Sequence, residues 1–258
     1  MDTTPDYRFQ PVSGHAAVEG VWSLETGPGE DRIAPDTCCE IIFHLAEPPL
    51  ERLPSGWRRQ APALLYGPLT RVLGLKFDGP MKLHAIRLKP GGIGELANDP
   101  PSLRNASHEL ASVMGSETAS KLQAAAHRGL PALQTAAAAL PHDSPSRRSG
   151  RIAGAAQLLA AAPGLTARRL AAELGISIRT LDRTFLAQTG LRPGEYLRIH
   201  RYHAARRAVS AGAANLADIA ADHGYADQAH MTREFRHFSG LTPRRKRAGE
   251  GHDLYYDN

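Results

Sequence analysis

A repeat of about 50 residues in the second half of the chain restricts its fold more than any other feature. Three pairs of segments match in the same order: LAAELGI (170–176) with IAADHGY (219–225), LDRTF (181–185) with MTREF (231–235), and TGLRP (189–193) with SGLTP (239–243). The offset is 49 residues between Gly175 and Gly224 and 50 residues afterwards, so the second copy has one extra residue after its glycine. Two copies of one structural unit are therefore predicted.

Each copy predicts a helix, a short turn and a second helix. In the first copy Thr166 can cap a helix, and Gly175 follows its last apolar position, where a left-handed C-terminal cap is favoured. Ser177 can then cap the second helix. The residues that we expect this helix to bury are Ile178, Leu181 and Phe185. This is the helix-turn-helix pattern, and the second copy repeats it.

Two ordinary helical hairpins are the alternative, and they predict no preferred chemistry on the outer face of the second helix. Here that face is rich in hydrogen-bonding side chains: Arg179, Thr180, Asp182 and Arg183 in copy one, and Gln228, His230, Thr232 and Arg233 in copy two. Between the copies, residues 192–211 predict a helix that starts at Pro193. About 18 helical residues span about 27 Å, so this helix can hold two others roughly one DNA turn apart.

Positive charge is concentrated in the same half of the chain. Residues 147–258 contain 18 Lys and Arg against 10 Asp and Glu, a net charge of +8, whereas residues 1–146 contain 13 against 16, a net charge of −3. All the basic residues of the second half except Lys246 are Arg, whose planar guanidinium donates paired hydrogen bonds to phosphates and base edges. A solvated basic surface would have the same charge, but charge and repeat together favour nucleic-acid binding.

Residues ~150–247 resemble the tandem helix-turn-helix DNA-binding domain of AraC/XylS-type transcription regulators. The resemblance runs from LTARRLAAELGISIRTLDRTF through TGLRPGEYLRIHRYHAARRAV to DIAADHGYADQAHMTREFRHFSGLTP. It implies a sequence-specific regulator that places two recognition helices in successive major grooves of double-stranded DNA, with RNA polymerase as a further partner if it is an activator. The chain departs from the family pattern at Lys246, where the family usually has an aromatic residue.

The resemblance also implies which side chains contact DNA. The implied base contacts are Arg179, Thr180, Arg183, Gln228, Ala229, His230 and Arg233. The predicted phosphate contacts are Thr166, Arg168, Arg169, Ser177, Thr232, Arg236, Arg244 and Arg245. For the arginines outside the second helix of each copy, a solvated charged surface is the alternative.

The first ~90 residues predict a β-rich domain. CEIIFHL (39–45), TRVLGLKF (70–77) and MKLHAIRLK (81–89) are short apolar or alternating runs separated by Pro and Gly, which is typical of an antiparallel sandwich or barrel. ASHELASVMG, ETASKLQAAAHRG and PALQTAAAAL then predict helices. The segments PDTCCEIIFHL, YGPLTR and AIRLKPGG resemble the sensor domain of one group of AraC-type regulators, which implies a small cupin-like β-barrel followed by helices.

The predicted fold class is therefore α+β. We expect residues 1–140 to form a cupin-like sensor or dimerisation domain with helices, followed by a Pro- and Ser-rich linker over 141–150. Residues 151–247 should form an all-α DNA-binding domain with two helix-turn-helix motifs and a linker helix, and residues 248–258 a flexible tail. The helices near residues 105–140 and the linker are the expected route between the two domains.

Four polar residues of the predicted barrel are candidate effector-binding residues: Glu40, His44, His84 and Arg87. A charged strand residue faces outward more often than into a lumen, so outward positions are expected for Glu40 and Arg87. Cys38 and Cys39 are adjacent, so one should point inward and the other outward as structural cysteines. No H-x-H motif occurs, and we predict neither a metal nor another cofactor.

The regulator hypothesis predicts no catalytic activity, and its effector would be a small molecule. A cupin-like enzyme domain fused to a DNA-binding module is the alternative, and a non-specific architectural DNA protein is a third hypothesis. A homodimer formed through the N-terminal domain stays open. The chain shows no signal sequence and no apolar run long enough to span a bilayer, so we expect a cytoplasmic protein without a membrane partner.

Overall fold

The N-terminal part of the chain, residues 6–141, contains two antiparallel sheets. The computed structural model describes residues 6–141, 147–212 and 215–248, and it describes no side chains at 147–149. The strands are β1 (Asp6–Pro11), β2 (Val18–Thr26), β3 (Gly29–Ile33), β4 (Glu40–His44), β5 (Leu50–Leu53), β6 (Gly56–Arg59), β7 (Ala63–Tyr66), β8 (Leu73–Phe77), β9 (Met81–Leu88) and β10 (Ser107–Glu109). Sheet A has the order β1-β2-β9-β4-β7-β10, and sheet B has the order β3-β8-β5-β6.

Sheet A is covered on both faces because its central strands alternate apolar side chains between them. On β4, Ile42 packs towards sheet B with Trp22, while Ile41 and Phe43 pack on the opposite face. The helices that follow the strands are α1 (Ile93–Leu96), a 3-10 helix (Pro100–Leu103), α2 (Leu110–Met114), α3 (Ser116–His127) and α4 (Leu130–Ala138). Leu122 of α3 and Leu133 of α4 belong to the core of this opposite face. The arrangement is compatible with the predicted cupin-like barrel.

One secondary-structure prediction for the N-terminal part is wrong. The segment ASHELASVMG is not one helix, because Ser107–Glu109 forms β10 and pairs with β7 before α2 begins. On β6, Trp57 has 42% of its surface exposed and lies beside the Arg52 guanidinium. The adjacent cysteines lie on opposite sides of sheet A, since Cys39 belongs to the core on the helix side and Cys38 lines the pocket between the sheets, so the expectation that one of them points outward is wrong.

The C-terminal part, residues 147–248, is helical, as predicted. Its helices are α5 (Arg147–Ala161), α6 (Ala167–Glu173), α7 (Ile178–Thr189), α8 (Pro193–Ala211), α9 (Leu216–Asp222), α10 (Gln228–Ser239) and α11 (Pro243–Arg247). One core, which includes Leu170, Phe185, Tyr196 and Phe235, joins both helix-turn-helix units to α5 and α8. No described helix has the length and apolar character that crossing a lipid bilayer requires.

The predicted linker and tail are described only in part. Helix α5 begins at Arg147 and so includes the last four residues of the predicted linker 141–150. Residues 142–146 of that linker and residues 249–258 of the predicted tail lie outside the described ranges.

Helix α8 connects the two units and has the predicted length. It contains 19 residues and starts at Pro193, and at 1.5 Å per residue it is about 28 Å long. Tyr196, Ile199 and Val209 are buried on it. Arg206 is buried as well, with only 5% of its surface exposed.

The two parts of the chain pack against each other at several points. Ala34, which follows β3, belongs to the core of the C-terminal part. His237 of α10 donates a hydrogen bond from Nε2 to the Thr70 carbonyl oxygen at 2.9 Å. Helix α7 contacts both α1 and the 3-10 helix. An ion pair joins Arg104 to Glu195 of α8. The N-terminal part therefore contacts both helix-turn-helix units and the helix between them.

Candidate DNA-binding surface and ligand pocket

The second helix of each unit is fixed by an N-terminal cap at the same position of the repeat. The Ser177 hydroxyl accepts a hydrogen bond from the Thr180 amide at 3.1 Å, and an Asp227 carboxylate oxygen accepts one from the His230 amide at 2.6 Å. The predicted cap at Thr166 is also present, with the Arg169 amide as donor at 3.3 Å. These local bonds start α6, α7 and α10 at defined residues, so the faces of the helices follow from the sequence.

Helices α7 and α10 each have one buried face and one face open to solvent. Leu181 and Phe185 on α7, and Met231 and Phe235 on α10, are fully buried. The predicted base-contacting residues lie on the other side. Arg179, Arg183, Ala229 and Arg233 are exposed, and Thr180, Gln228 and His230 are half-buried. Thus the structure keeps all seven predicted side chains accessible on two helices that share one core.

His230 is held more firmly than the other predicted base contacts. Its ring meets the Tyr225 ring edge-on, with 5.3 Å between the ring centroids. Its Nδ1 accepts a hydrogen bond from the Ala226 amide at 3.4 Å. In the neutral ring the hydrogen is therefore on Nε2, which makes that atom a hydrogen-bond donor.

Ile178 is a residue of this surface that sequence reasoning missed. It was predicted to be buried, but 50% of its surface is exposed, so that prediction is wrong. Ile178 directly follows the cap Ser177, just as Gln228 directly follows the cap Asp227. The polar residue in the second copy is the signal that this first-turn position does not belong to the core.

The predicted phosphate contacts surround the two exposed helix faces. Thr166, Arg168, Arg169, Ser177, Arg236, Arg244 and Arg245 are exposed, and Thr232 is half-buried. The Thr232 hydroxyl donates to the Gln228 carbonyl oxygen at 2.9 Å. Lys246, at the position where the resemblance implies an aromatic residue, has only 8% of its surface exposed, so its stem helps to pack α11.

A narrow pocket with a cavity volume of about 50 Å³, partly open to solvent, lies between sheets A and B. Its apolar wall includes Ile42, Leu75, Met81 and Leu83. Three of the four predicted effector-binding residues, Glu40, His44 and Arg87, line it together with Asp36 and Gln60. The fourth, His84, lies elsewhere: its Nδ1 donates to the Ala126 carbonyl oxygen of α3 at 2.7 Å.

Glu40 and Arg87 face the pocket, so the expectation that they point outward is wrong. Their side chains are only 15% and 20% exposed. They occupy directly paired positions on neighbouring strands β4 and β9. Because the opposite charges face each other across the sheet, each lowers the cost of placing the other inside.

Arg87 is shared by three carboxylates. Its Nη1 lies 2.5 Å from Glu40, its Nη2 lies 2.5 Å from Asp36, and its Nε lies 3.1 Å from Glu19. The Trp22 indole donates a further hydrogen bond to Glu40 at 2.9 Å. Burial, reinforced by the charge of Asp36, raises the pKa of Glu40 to about 7 despite the attraction of Arg87.

His44 lies four residues along β4 from Glu40 and is neutral. Its Nε2 donates to the Gln60 side-chain oxygen at 3.0 Å. Burial lowers its pKa to about 4. Its Nδ1 is buried and has no hydrogen-bond partner in the described chain.

Burial also raises the pKa of the thiols of Cys38 and Cys39. Within the described ranges, no group of three or more His, Cys, Asp or Glu side chains could hold a metal ion.

Two family models match the chain. Residues 170–249 match a helix-turn-helix domain, and residues 12–108 match a domain of unknown function (DUF6597). No curated protein matches the chain significantly.

Several solved structures are similar to the chain. A transcriptional regulator from Chromobacterium violaceum, described as an AraC-type DNA-binding domain-containing protein, is 23% identical over 42% of this chain and 96% of its own, with a TM-score of 0.37. The C-terminal domain of AraT, a response regulator from Geobacillus stearothermophilus, is 23% identical over 44% of this chain and 96% of its own, with a TM-score of 0.37. ToxT from Vibrio cholerae is 8% identical over 96% of this chain and 98% of its own, with a TM-score of 0.49.

The match to the helix-turn-helix model begins inside the first unit and includes the whole of the second. Both units have the caps, buried faces and exposed second helices that the repeat predicted. The chain therefore carries a helix-turn-helix domain at its C-terminal end, with two helix-turn-helix units that share one core.

Proposed function

We propose that the protein binds a specific DNA site by placing α7 and α10 in successive major grooves. The observation that carries this proposal is the pair of exposed helix faces held on one core by the 19-residue helix α8. A helix of about 28 Å has a suitable length to separate two recognition helices by roughly one DNA turn of about 34 Å. The net charge of +8 on residues 147–258 supports binding to phosphates.

Each predicted base contact has a chemistry that suits it. Arg183 and Arg233 occupy equivalent exposed positions and can donate two hydrogen bonds to guanine O6 and N7. Gln228 suits adenine, and the methyl group of Ala229 suits the methyl group of thymine. Arg179, Thr180 and His230 complete the proposed set of hydrogen-bond donors. We add Ile178 for apolar contact with a thymine methyl group, because half of its surface is exposed on α7.

The proposed phosphate contacts position the protein on the duplex and carry no sequence information. They are Thr166, Arg168, Arg169, Ser177, Thr232, Arg236, Arg244 and Arg245. The Thr166 hydroxyl accepts a hydrogen bond as a helix cap and can still donate one to a phosphate oxygen. The Ser177 hydroxyl accepts the Thr180 amide hydrogen and also shares a hydrogen bond of 2.9 Å with the Thr180 hydroxyl, so one of these two hydroxyls is left to donate to DNA.

We further propose that the N-terminal part is a sensor domain without catalytic activity. Its pocket between the sheets combines an apolar wall with a few polar groups, as small-molecule sites do. Glu40, His44 and Arg87 belong to the proposed effector site, and His84 is left out because it bonds to α3. The domain boundaries at residues 140, 151 and 247 stay predictions, as do a homodimer, contact with RNA polymerase and action in the cytoplasm.

A gel-shift titration tests this proposal. The full chain and residues 147–258 should both bind DNA, with an affinity that falls steeply as salt rises because bound counterions are released. Residues 1–146, with a net charge of −3, should not bind. Binding by residues 1–146 alone, or equal affinity for every sequence in the presence of competitor DNA, would contradict the proposal.

A further inference from the structure

The segment from Ile33 to Cys38 separates the pocket from the DNA-binding part. It leaves sheet B at the end of β3 and leads to β4 of sheet A. Ile33, Asp36 and Cys38 line the pocket. The residues between them lie against the C-terminal part, and Ala34 belongs to its core. A molecule in the pocket and the DNA-binding part therefore touch the same short stretch of backbone.

The C-terminal partner of this segment is the linker helix α8. His203 of α8 donates a hydrogen bond from Nε2 to the Pro35 carbonyl oxygen at 2.7 Å. The Thr37 hydroxyl oxygen lies 3.5 Å from Nε2 of His200. Since α8 joins the two recognition helices to one core, a displacement of this segment reaches the element that sets their relative position.

Three carboxyl groups contact one guanidinium at the polar end of the pocket, and two of them, Asp36 and Glu40, line the pocket. Asp36, Glu40 and Glu19 all contact the single guanidinium of Arg87, and all three of its nitrogens have a carboxylate partner. A ligand carboxylate or phosphate would have to displace one of them and would meet the charge of the others. An ammonium group placed between Asp36 and Glu40 would instead supply the missing positive charge.

A second, independent observation lies at the other end of β4. His44 lines the pocket, is only 5% exposed and is neutral, and its Nδ1 has no hydrogen-bond partner in the described residues. Since Nε2 donates to Gln60, Nδ1 is an acceptor that needs a donor. Glu40, Ile42 and His44 share one face of the strand, so the two polar ends are about 13 Å apart.

We propose that the pocket binds an apolar molecule with a cationic group at Asp36 and Glu40 and a hydrogen-bond donor at His44, and that its occupancy acts on α8 through Pro35 and Thr37. This inference rests on the proposed effector site and names the ligand class and the route of regulation. The ligand changes the affinity for DNA only if its own affinity differs between two arrangements of α8, one that allows DNA binding and one that does not. The route differs from the expected one through the helices near residues 105–140 and the linker.

Thermal unfolding of the full chain tests the ligand class with a matched set of probes. Aminooctanol has an ammonium group and a hydroxyl at the ends of an apolar chain. Octanediol, hydroxyoctanoate and octylamine change one end each. Aminooctanol in excess should raise the Tm by about 2 °C or more, and by more than any of the other three. An equal or larger rise with hydroxyoctanoate or octanediol, or no rise with aminooctanol, would overturn the ligand class.

Variants of the pocket make this test specific. Asp36→Asn and Glu40→Gln should abolish the preference for aminooctanol over octanediol while each protein still unfolds cooperatively. Lys121→Gln is the matched control, because Lys121 pairs only with Glu117 on the exposed surface of α3. A preference that survives both pocket variants would show that the amine binds elsewhere and would contradict the proposal.

DNA titrations with and without aminooctanol test the route. For the full chain, the Kd for its best selected DNA site should change by about fivefold or more. Thr37→Val and His203→Gln should keep the rise in Tm but lose most of the change in Kd. Arg104→Gln, which removes an interdomain ion pair away from the pocket, should keep both effects. If Thr37→Val and His203→Gln respond like the unmodified chain, the segment is not the route.

These readouts separate the two proposals. A chain that binds no specific DNA but shows the predicted Tm pattern would contradict the proposed function and leave the ligand class supported. A chain that binds DNA specifically and shows no preference for the amine would contradict this inference alone.

Discussion

Arg198 of the linker helix α8 and Glu234 of the second recognition helix α10 form an ion pair with two parallel contacts. The Arg198 Nη2 lies 2.6 Å from Glu234 Oε1, and its Nε lies 3.1 Å from Oε2. Glu234 is buried, whereas the Arg198 side chain is 45% exposed and lies over the Phe238 ring. This pair joins α10 to α8 beside their shared core.

Replacement of Arg198 should therefore destabilise the second unit. In Arg198→Ala the Glu234 carboxylate stays buried without its partner, and we expect the unfolding free energy to fall by about 1–3 kcal/mol. Urea unfolding of the full chain measures this loss. The double variant with Glu234→Gln should recover part of it, because the uncompensated charge is removed. Equal stabilities for the single and double variants would show that the pair contributes only packing.

Base readers and phosphate contacts should differ in their effects on DNA binding. Arg183→Ala and Arg233→Ala should each relax the preference at one base position at a cost of about 1–3 kcal/mol. Arg244→Ala should weaken binding to all sequences alike and reduce the salt slope by about one unit. Titrations against single-base variants of the site at several salt concentrations separate the two. Uniform weakening by the first two variants would contradict their role as base readers.

Ile178 should contact the methyl group of one thymine. Replacing that thymine by uracil, which lacks the methyl group, should weaken binding by the full chain at this position only. Ile178→Ser should bind the thymine and uracil sites equally. Ala229→Gly, on the other recognition helix, should keep the preference for thymine at the position that Ile178 contacts, because the proposed contact of Ala229 is with a different base. If uracil has no effect at any position, the proposed contact does not exist.

Gly190 should be more sensitive to substitution than Gly175. Both have a positive φ, +70° and +63°, so alanine costs about 1–2 kcal/mol of backbone strain at either position. At Gly175 an added Cβ meets nothing within 4 Å, whereas at Gly190 it would lie 2.7 Å from the Pro100 carbonyl oxygen of the N-terminal part. Gly190→Ala should thus lower the Tm more and increase proteolysis between the domains. Equal losses would show that the domains do not pack there in solution.

Stability should depend on pH through Glu40. Its pKa is raised by burial from 4.5 to about 7, so the folded chain holds this proton more tightly than the unfolded chain. The unfolding free energy of the unmodified chain relative to Glu40→Gln should therefore fall between about pH 4.5 and pH 7, by at most about 3 kcal/mol, and then stay level. Urea unfolding across this range measures it, with Glu117→Gln as an exposed control. If the unfolding free energy relative to Glu40→Gln rises with pH instead, the attraction of Arg87 outweighs the effect of burial on the pKa of Glu40.

The sequence predicts those features that depend on neighbours along the chain. The helix caps at Thr166 and Ser177 and the turn at Gly175 depend only on residues within one or two helical turns. The repeat was therefore enough to predict them. The burial of Ile178 was predicted wrongly, because the spacing of apolar residues shows which face of a helix packs inward. It does not show how much of the length of that face is covered by another element.

The pocket between the two sheets depends on contacts between residues far apart in the sequence. Glu40 and Arg87 were expected to point outward because burying a single unpaired charge has a high free-energy cost. The register of β4 against β9, which the sequence does not show, places the two charges opposite each other. The strand Ser107–Glu109 was missed for the same reason, since its partner β7 lies about 40 residues earlier. The contact between Pro35 and His203 joins two domains, and no local pattern predicts it.

Selection of bound sequences from random DNA by the full chain, at a stated salt concentration, tests the central claim most directly. Two recognition helices on one face of the duplex predict an enriched site with two conserved segments whose centres are about 10–10.5 base pairs apart. Arg183→Ala should lose conservation in one segment and Arg233→Ala in the other. Absence of any enriched site, or a single segment unaffected by both variants, would contradict the account.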